Sequence, residues 1–485
     1  MPLKGFVRKF KPLEILSDED IESIHKSTLD VLKETGVIID HKKALDLFKR
    51  SDCIVDYDKK RVRMPEALVE CELKRAPSSY RMKARNRAKD LIVGGNTVYF
   101  KGAPGFYAAD IENNTWETRS FTRKEYYDYV TITDVLENLH LQGPYPIFGF
   151  DGIPDCMKIV EGIAAKFRNS SKANYDAGGF DTYFFGIKMA QTLNTEFSAP
   201  ICASSPLTFY KEQIDIAFAL AEAKFPAFTI SGCSYGGSGP VTIAGSIVLD
   251  NAEVIAGVVL LQLINPGQPV CTIDQTNPLN MKTGSPNFDN IASALHMAAG
   301  TQIWRKYGIP HMFAAAGYTN AKKLDIQCGY ERGINAIIQA LCGANFIMLH
   351  GGIYGEYTAH PLAAIIDDDI AGMVGRFIEG VEVNSETIAL ELIEEVGPAP
   401  GFYLNKEHTR KWWEKEQYIS KVADDLNYQL WVKEGKKTTI DYAKKRMKEI
   451  LDNHCVDIPL TQEQDEEIEK ILVEARKWYE NKDLM

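Results

Sequence analysis

The 485-residue chain is long enough for roughly two to four average domains, or for one large barrel with additions. Its 45% hydrophobic and 25% charged content is that of a globular protein, and a net charge of -11 with no offsetting basic cluster argues against general nucleic-acid binding. No apolar run approaches the ~20 residues that span a bilayer, the start "MPLKGFVRKFKPLEIL" lacks the apolar core of a leader, and nine scattered cysteines without a CxxC read as reduced thiols, so the expected location is the cytoplasm.

The N-terminal part opens with a helix. Ser17 and Asp20 make a capping-box start, Ile21, Ile24, Thr28, Val31 and Leu32 follow at helical spacing, and Gly36 ends it. A second helix near Lys42 to Arg50 and strand-like pieces in "CIVDYDKKRVRM", "DLIVGGNTVYF" and "WETRSF" predict a mixed helical and hairpin extension over residues 1–135.

Over residues 136–380 the texture changes. Short β-rich segments recur, each followed by a polar or Gly-rich turn and an Ala/Ile/Leu-rich helix. The candidate strands are "LHLQG" (139–143), "KANYDAGG" (172–179), "PICASS" (200–205), "FTISGCS" (228–234), "PVCTIDQ" (269–275), "HMFAAAG" (311–317) and "NFIMLHGG" (345–352). Such alternation implies a parallel sheet. Its length fits an α/β (β/α)₈ TIM barrel, with a doubly wound sheet as the second choice. Residues 381–485 are helical and charged, and Ile468, Ile471, Leu472, Ala475 and Tyr479 form an apolar stripe suited to packing on the barrel or on a second subunit.

In a barrel, ligands bind in the loops after the strands. Those loops here carry many aromatic, hydroxyl and amide residues, among them Phe180, Tyr183, Tyr235, Tyr318, Tyr330, Tyr354 and Tyr357. A mouth of this kind suits a quaternary ammonium, which has no N–H to donate and is held by π faces. The competing reading is aromatic packing between loops. His350 closes an apolar strand where ligands bind, so it is a candidate orienting group or a satisfied core histidine. Asp274, Glu331 and Glu356 are the acid–base candidates, although Glu331 could be a first-turn helix residue. His350, Glu356 and His360 lie close together without an HxH or HExxH pattern, and His311 is expected at the amino-terminal end of its strand, so no metal is expected. The glycine-rich "GCSYGGSG" lacks the context of a nucleotide loop, and no Gly-x-Ser-x-Gly elbow occurs.

Four long stretches carry a resemblance: "GSGPVTIAGSIVLDNAEVIAGVVLLQLINPGQPV" (237–270), "NMKTGSPNFDNIASALHMAAGTQIWRKYGIP" (280–310), "DIQCGYERGINAIIQALCGANFI" (325–347) and "DDDIAGMVGRFIEGVEV" (367–383). With the segment 101–143, they make the chain resemble the trimethylamine:corrinoid methyltransferase family over nearly its whole length. The resemblance implies a (β/α)₈ barrel and methyl transfer from a methylated amine to the Co(I) of a separate corrinoid protein. It implies no tightly bound cofactor, and the charged tail and the family together imply a homo-oligomer. The archaeal trimethylamine enzymes of the family carry pyrrolysine, whereas this chain has only standard residues. It therefore resembles the non-pyrrolysine members, which demethylate quaternary amines such as glycine betaine, proline betaine or carnitine. The neighbourhood Asp325 to Glu331 is where the pyrrolysine-equivalent position is expected. A quaternary ammonium leaves as a neutral tertiary amine, so the protein mainly supplies position. Aromatic faces would hold the ammonium while Gln327, His350 or loop N–H groups orient a carboxylate. Two readings from other classes stay open: a quaternary-ammonium binding protein that transfers nothing, and a barrel lyase or hydrolase using Asp274, Glu331 or Glu356.

Overall fold

The structure is a computed structural model that describes residues 3–111, 115, 117–143, 147–176, 181–288, 290–314, 316–355 and 357–484. Among these residues, a parallel ladder runs through Phe197–Ser198, Ala173–Tyr175, Leu141–Gln142, Thr97–Gly102, Phe346–His350, His311–Phe313, Val270–Asp274, Ala227–Ser231 and Pro200–Cys202. The two ends of this ladder are separated in the chain by Ala199 alone, whose carbonyl accepts from Phe228 N at 3.2 Å. The sheet therefore closes on itself. Each strand region is followed by a helix: Arg123–Val135, Asp155–Asn169, Thr182–Thr192, Lys211–Ala223, Ile243–Ile264, Ile291–Tyr307, Ile326–Cys342 and Pro361–Ile378. This is the (β/α)₈ barrel.

The barrel begins earlier than the division expected at residue 135. Thr97–Gly102 pairs in parallel with Leu141–Gln142 on one side and with Phe346–His350 on the other. Its sequence gave a strand but not its partner, because a lone strand next to a hairpin reads the same as a barrel strand. The true hairpin, Ser79–Met82 with Leu91–Gly94, puts Tyr80, Met82, Leu91 and Val93 into the cluster that fills the barrel.

Local chemistry sets the helix starts. Thr122 and Glu125 cap Arg123–Val135 reciprocally, as Ser17 and Asp20 cap Asp18–Asp30. Ile243–Ile264 differs from the expectation about apolar runs. At 22 residues with a mean hydropathy of 1.9 it is long and apolar enough to cross a membrane, yet 78% of that stretch is buried inside the protein, so it is a core helix. The C-terminal helix Gln462–Glu480 buries all five residues of its expected stripe, against the barrel helices Asp155–Asn169 and Thr182–Thr192.

Candidate functional site

Alternation along each strand sorts side chains between a lumen and an outer layer. On Thr97–Gly102, Val98 and Phe100 pack outward with Ile347 and Leu349, while Tyr99 joins the lumen. The lumen wall consists mainly of Leu141, Ala173, Tyr175, Phe228, Ile273, Met312, Phe346 and Met348. Lys101, two residues beyond Tyr99, follows the same inward alternation. It is 2% exposed, with Nζ 4.0 Å from the Tyr175 ring centroid and 3.7 Å from Met348 Sδ.

Aromatic rings gather over the carboxyl end of this lumen. Phe288 meets Tyr318 at 5.4 Å and Tyr354 at 6.2 Å between centroids, both edge-on. Tyr354 touches Tyr357 at 6.2 Å, and Tyr357 touches Tyr107 at 5.4 Å. Gln275 donates to the Tyr318 hydroxyl at 2.8 Å, and Lys322 Nζ sits 4.1 Å from the Tyr354 ring centroid. Three expected residues, Tyr318, Tyr354 and Tyr357, thus come together. Phe288 and Tyr107 complete the group and were not foreseen from the sequence: Phe288 lies beyond the post-strand loop stretch, and Tyr107, on the strand Tyr107–Ala109, falls in the region expected to be the N-terminal extension.

Glu331 and Gln327 hold loops rather than face the lumen. Glu331 accepts from Thr319 Oγ1, from Asn320 N at 2.9 Å and from Gln327 Nε2 at 2.7 Å. Asn320 in turn accepts from Phe288 N at 3.0 Å, so this cluster positions the aromatic lid. Tyr330 is 54% exposed on its helix. Tyr183 lies on Thr182–Thr192 against the outer core, and burial pushes its hydroxyl up to about 12. Phe180 and Glu356 lie outside the described residues.

Two expected polar residues face away from the mouth. A register shift between Met348 and His350 breaks the alternation, so His350 turns outward. Its ring is fully buried against Phe100, with Nε2 3.4 Å from Asp368 Oδ1 on Pro361–Ile378. Burial raises the Asp368 carboxyl, but His350 and the Asn138 N–H outweigh it and hold it below its ordinary value. Asp274 follows the outward alternation beside inward Ile273. His296 Nε2 lies 2.6 Å from its Oδ2, Thr276 N donates to its Oδ1 at 2.8 Å, and the Tyr235 hydroxyl meets His296 Nδ1 at 2.6 Å. Burial raises Asp274 while His296 pulls it below its ordinary value. Neighbouring Asp250 is driven well up by burial and by the Asp274 charge. Asp250, Asp274 and His296 bring potential ligand atoms within 4.8 Å of one another, but both His296 nitrogens already face protein groups. Asp274 and Glu331 are committed to internal partners, which disfavours the lyase or hydrolase reading based on them.

A family model described as Trimethylamine methyltransferase (MTTB) matches residues 1–478. The chain is 30% identical over 451 residues to the glycine betaine methyltransferase of Desulfitobacterium hafniense (strain Y51), covering 91% of this chain and 92% of that protein. It is 28% identical over 459 residues to the trimethylamine methyltransferase MttB of Methanosarcina thermophila, covering 92% and 94%. The crystal structure of the Methanosarcina barkeri monomethylamine methyltransferase (MtmB) shares the fold at a TM-score of 0.50 and 13% identity, covering 89% of this chain and 92% of that one.

Proposed function

The chain belongs to the trimethylamine methyltransferase (MTTB) family, and from that premise we propose that it moves a methyl group from a betaine-type quaternary amine, such as glycine betaine, proline betaine or carnitine, to the Co(I) of a cognate corrinoid protein. The enzyme is a methyltransferase. The observation that supports the substrate reading is the aromatic character of the barrel interior, where Tyr175, Phe228, Phe346 and Tyr318 share one buried cluster with Phe288 packed against it. Ring faces attract a trimethylammonium through the quadrupole, and that attraction strengthens when water is excluded.

When the partner docks, its Co(I) supplies a strong nucleophile for the methyl carbon. The residues of this chain bind and orient the substrate, and they keep water away from it. A neutral tertiary amine departs, so no side chain has to deliver or remove a proton. That fits a lumen whose flanking carboxylates, Asp274 and Asp368, are paired with histidines behind the wall. Around the mouth, Val241, Met281, Ile291 and Tyr357 are exposed and provide apolar surface on which a macrocycle can rest. A cytoplasmic homo-oligomer is part of the same proposal, because the segment 381–404 exposes Val381, Val383, Leu390, Phe402 and Leu404.

The test is to mix the protein with Co(I) corrinoid, or with a cognate corrinoid protein, and a panel of betaines, carnitine and methylamines. Methyl-Co(III) absorbance is expected to grow with a quaternary amine. Its absence with every member overturns the reading.

A further inference from the structure

A buried carboxylate close to a site for a cation invites an electrostatic reading, in which its charge attracts the ligand. Glu331 is built for something else. It is 6% exposed, and both its oxygens accept from donors of this chain: Thr319 Oγ1 and Asn320 N (2.9 Å) on one, Gln327 Nε2 (2.7 Å) on the other. Thr319 Oγ1 also accepts from Ala321 N at 2.9 Å, so the turn 319–321 folds around the carboxylate. Two links lead from that turn to Phe288. The Asn320 side chain accepts from Phe288 N at 3.0 Å and donates to Asn287 Oδ1 at 2.7 Å, which holds the backbone. The Thr319 carbonyl accepts from Gly355 N at 3.1 Å, and Gly355, at φ +63, leaves room for the Phe288 ring where an added Cβ would strike it. The ring is thereby set edge-on to Tyr318 and Tyr354.

We propose that Glu331 is a positioning residue for the ammonium end of the substrate, acting through the hydrogen bonds that hold Phe288 and not through its charge. Removing the carboxylate leaves the Asn320 N–H and the buried Thr319 hydroxyl without their acceptor, a cost that favours rearrangement of the turn. The Phe288 ring then loses its fixed place. A glutamine can stand in for Glu331. Its carbonyl accepts from Thr319 and Asn320 as before, and Gln327 turns its own amide to accept from the new NH2 group. The inference rests on the proposed function, in which Phe288 faces the ammonium, whereas the link from Glu331 to Phe288 does not.

Calorimetric titration with glycine betaine reads the effect, and a thermal melt of each variant checks folding. Glu331→Ala should bind on the order of tenfold more weakly than wild type, and Glu331→Gln within about twofold of it. Asn320→Ala keeps Glu331 and its backbone partner but removes the side-chain link, and it should also lose on the order of tenfold. In a Phe288→Ala background, Glu331→Ala should add less than about a further twofold, because residues that act as one unit are not additive. The proposal is overturned if Glu331→Gln binds as weakly as Glu331→Ala, which makes the charge the cause. It is equally overturned if Glu331→Ala binds unchanged, or repeats its full loss without Phe288. Should Glu331→Ala not fold, Asn320→Ala with and without Phe288 decides by the same criteria. The titrations do not depend on transfer, so they hold even where no amine is demethylated and the proposed function fails. If wild type binds no quaternary amine at all, hydrogen exchange at the Phe288 amide decides the link. Exchange faster by on the order of tenfold in Glu331→Ala and Asn320→Ala, with the wild-type rate in Glu331→Gln, upholds it. An unchanged rate in Glu331→Ala overturns it.

Discussion

Lys101 and Asp274 sit near the carboxyl ends of two barrel strands but on opposite sides of the same wall. Asp274 faces outward, where His296 and the Thr276 N–H meet it within 2.8 Å, and His296 is held in turn by Tyr235. His350 Nε2 lies 3.4 Å from Asp368 Oδ1, and Arg332 pairs with Asp367. Lys101 faces inward, onto an aromatic ring and a thioether. The outer groups lie beside oppositely charged or polar neighbours, and His350 Nδ1 and Nε2, Arg332 Nε and Nη2 and Asp367 Oδ1 are buried there without a hydrogen bond among the described residues. The inner one rests in part on soft, polarizable surface. Burial alone does not separate the two kinds, since Lys101, Asp274 and Arg332 are each 2% exposed.

The outer layer should break as structure, not as specificity. Arg332→Met strands buried Asp367, which also accepts from the Gly351 N–H at 2.8 Å. Gly351 turns at φ +97, where an added Cβ would meet the Tyr129 hydroxyl, so the loop has little room to adjust. A loss of about 3–5 kcal/mol in urea unfolding is expected, with betaine affinity little changed in the protein that remains folded. If affinity falls while stability holds, the division between the layers is wrong.

Acid should find the same layer. Burial lowers His140 to about 3 and both His311 and His360 to about 4. His140 Nδ1 accepts from Phe100 N at 3.0 Å, and His360 Nδ1 accepts from Leu362 N at 3.1 Å at its helix start, so protonation removes an acceptor in each case. These folded values lie below the unfolded value of about 6.5. The stability they contribute is therefore complete above that value and is lost as pH falls from there toward 4. Chemical denaturation across pH 7 to 4 should show stability falling with pH, and a flat profile would refute the assignment.

On the inner side, Phe288→Ala should raise KM for a quaternary amine by about tenfold, or about 1.4 kcal/mol, through lost ring surface, with a smaller effect on kcat. The smallest effect is expected at Tyr330. It is 54% exposed, so Tyr330→Ala should change subunit stability by less than about 0.5 kcal/mol and leave KM as it was. A larger change in KM would return Tyr330 to the site.

Periodicity and capping chemistry are local, and they determined much of this protein before any packing was considered. Alternating short apolar strands and longer helices give the barrel, Ser17 with Asp20 gives the first helix start, and the spacing from Ile468 to Tyr479 gives the buried stripe of the last helix. Within the aromatic group, Tyr318, Tyr354 and Tyr357 were legible because they lie in loops just after strands. Only the tertiary structure decided that Thr97–Gly102 closes the barrel, since its partners lie at residues 141 and 346–350. It also brought Phe288, from a loop, and Tyr107, from the strand Tyr107–Ala109, to the aromatic group from points far apart in the chain. The face of each strand-end residue depends on a period of two, and a single shifted register reverses it. Strict alternation would aim His350 at the lumen, and the irregularity after Met348 instead sets it against Asp368. Lys101 lay in plain view within "VYFKG", but only the closed wall around it sets its ammonium beside Tyr175 and Met348.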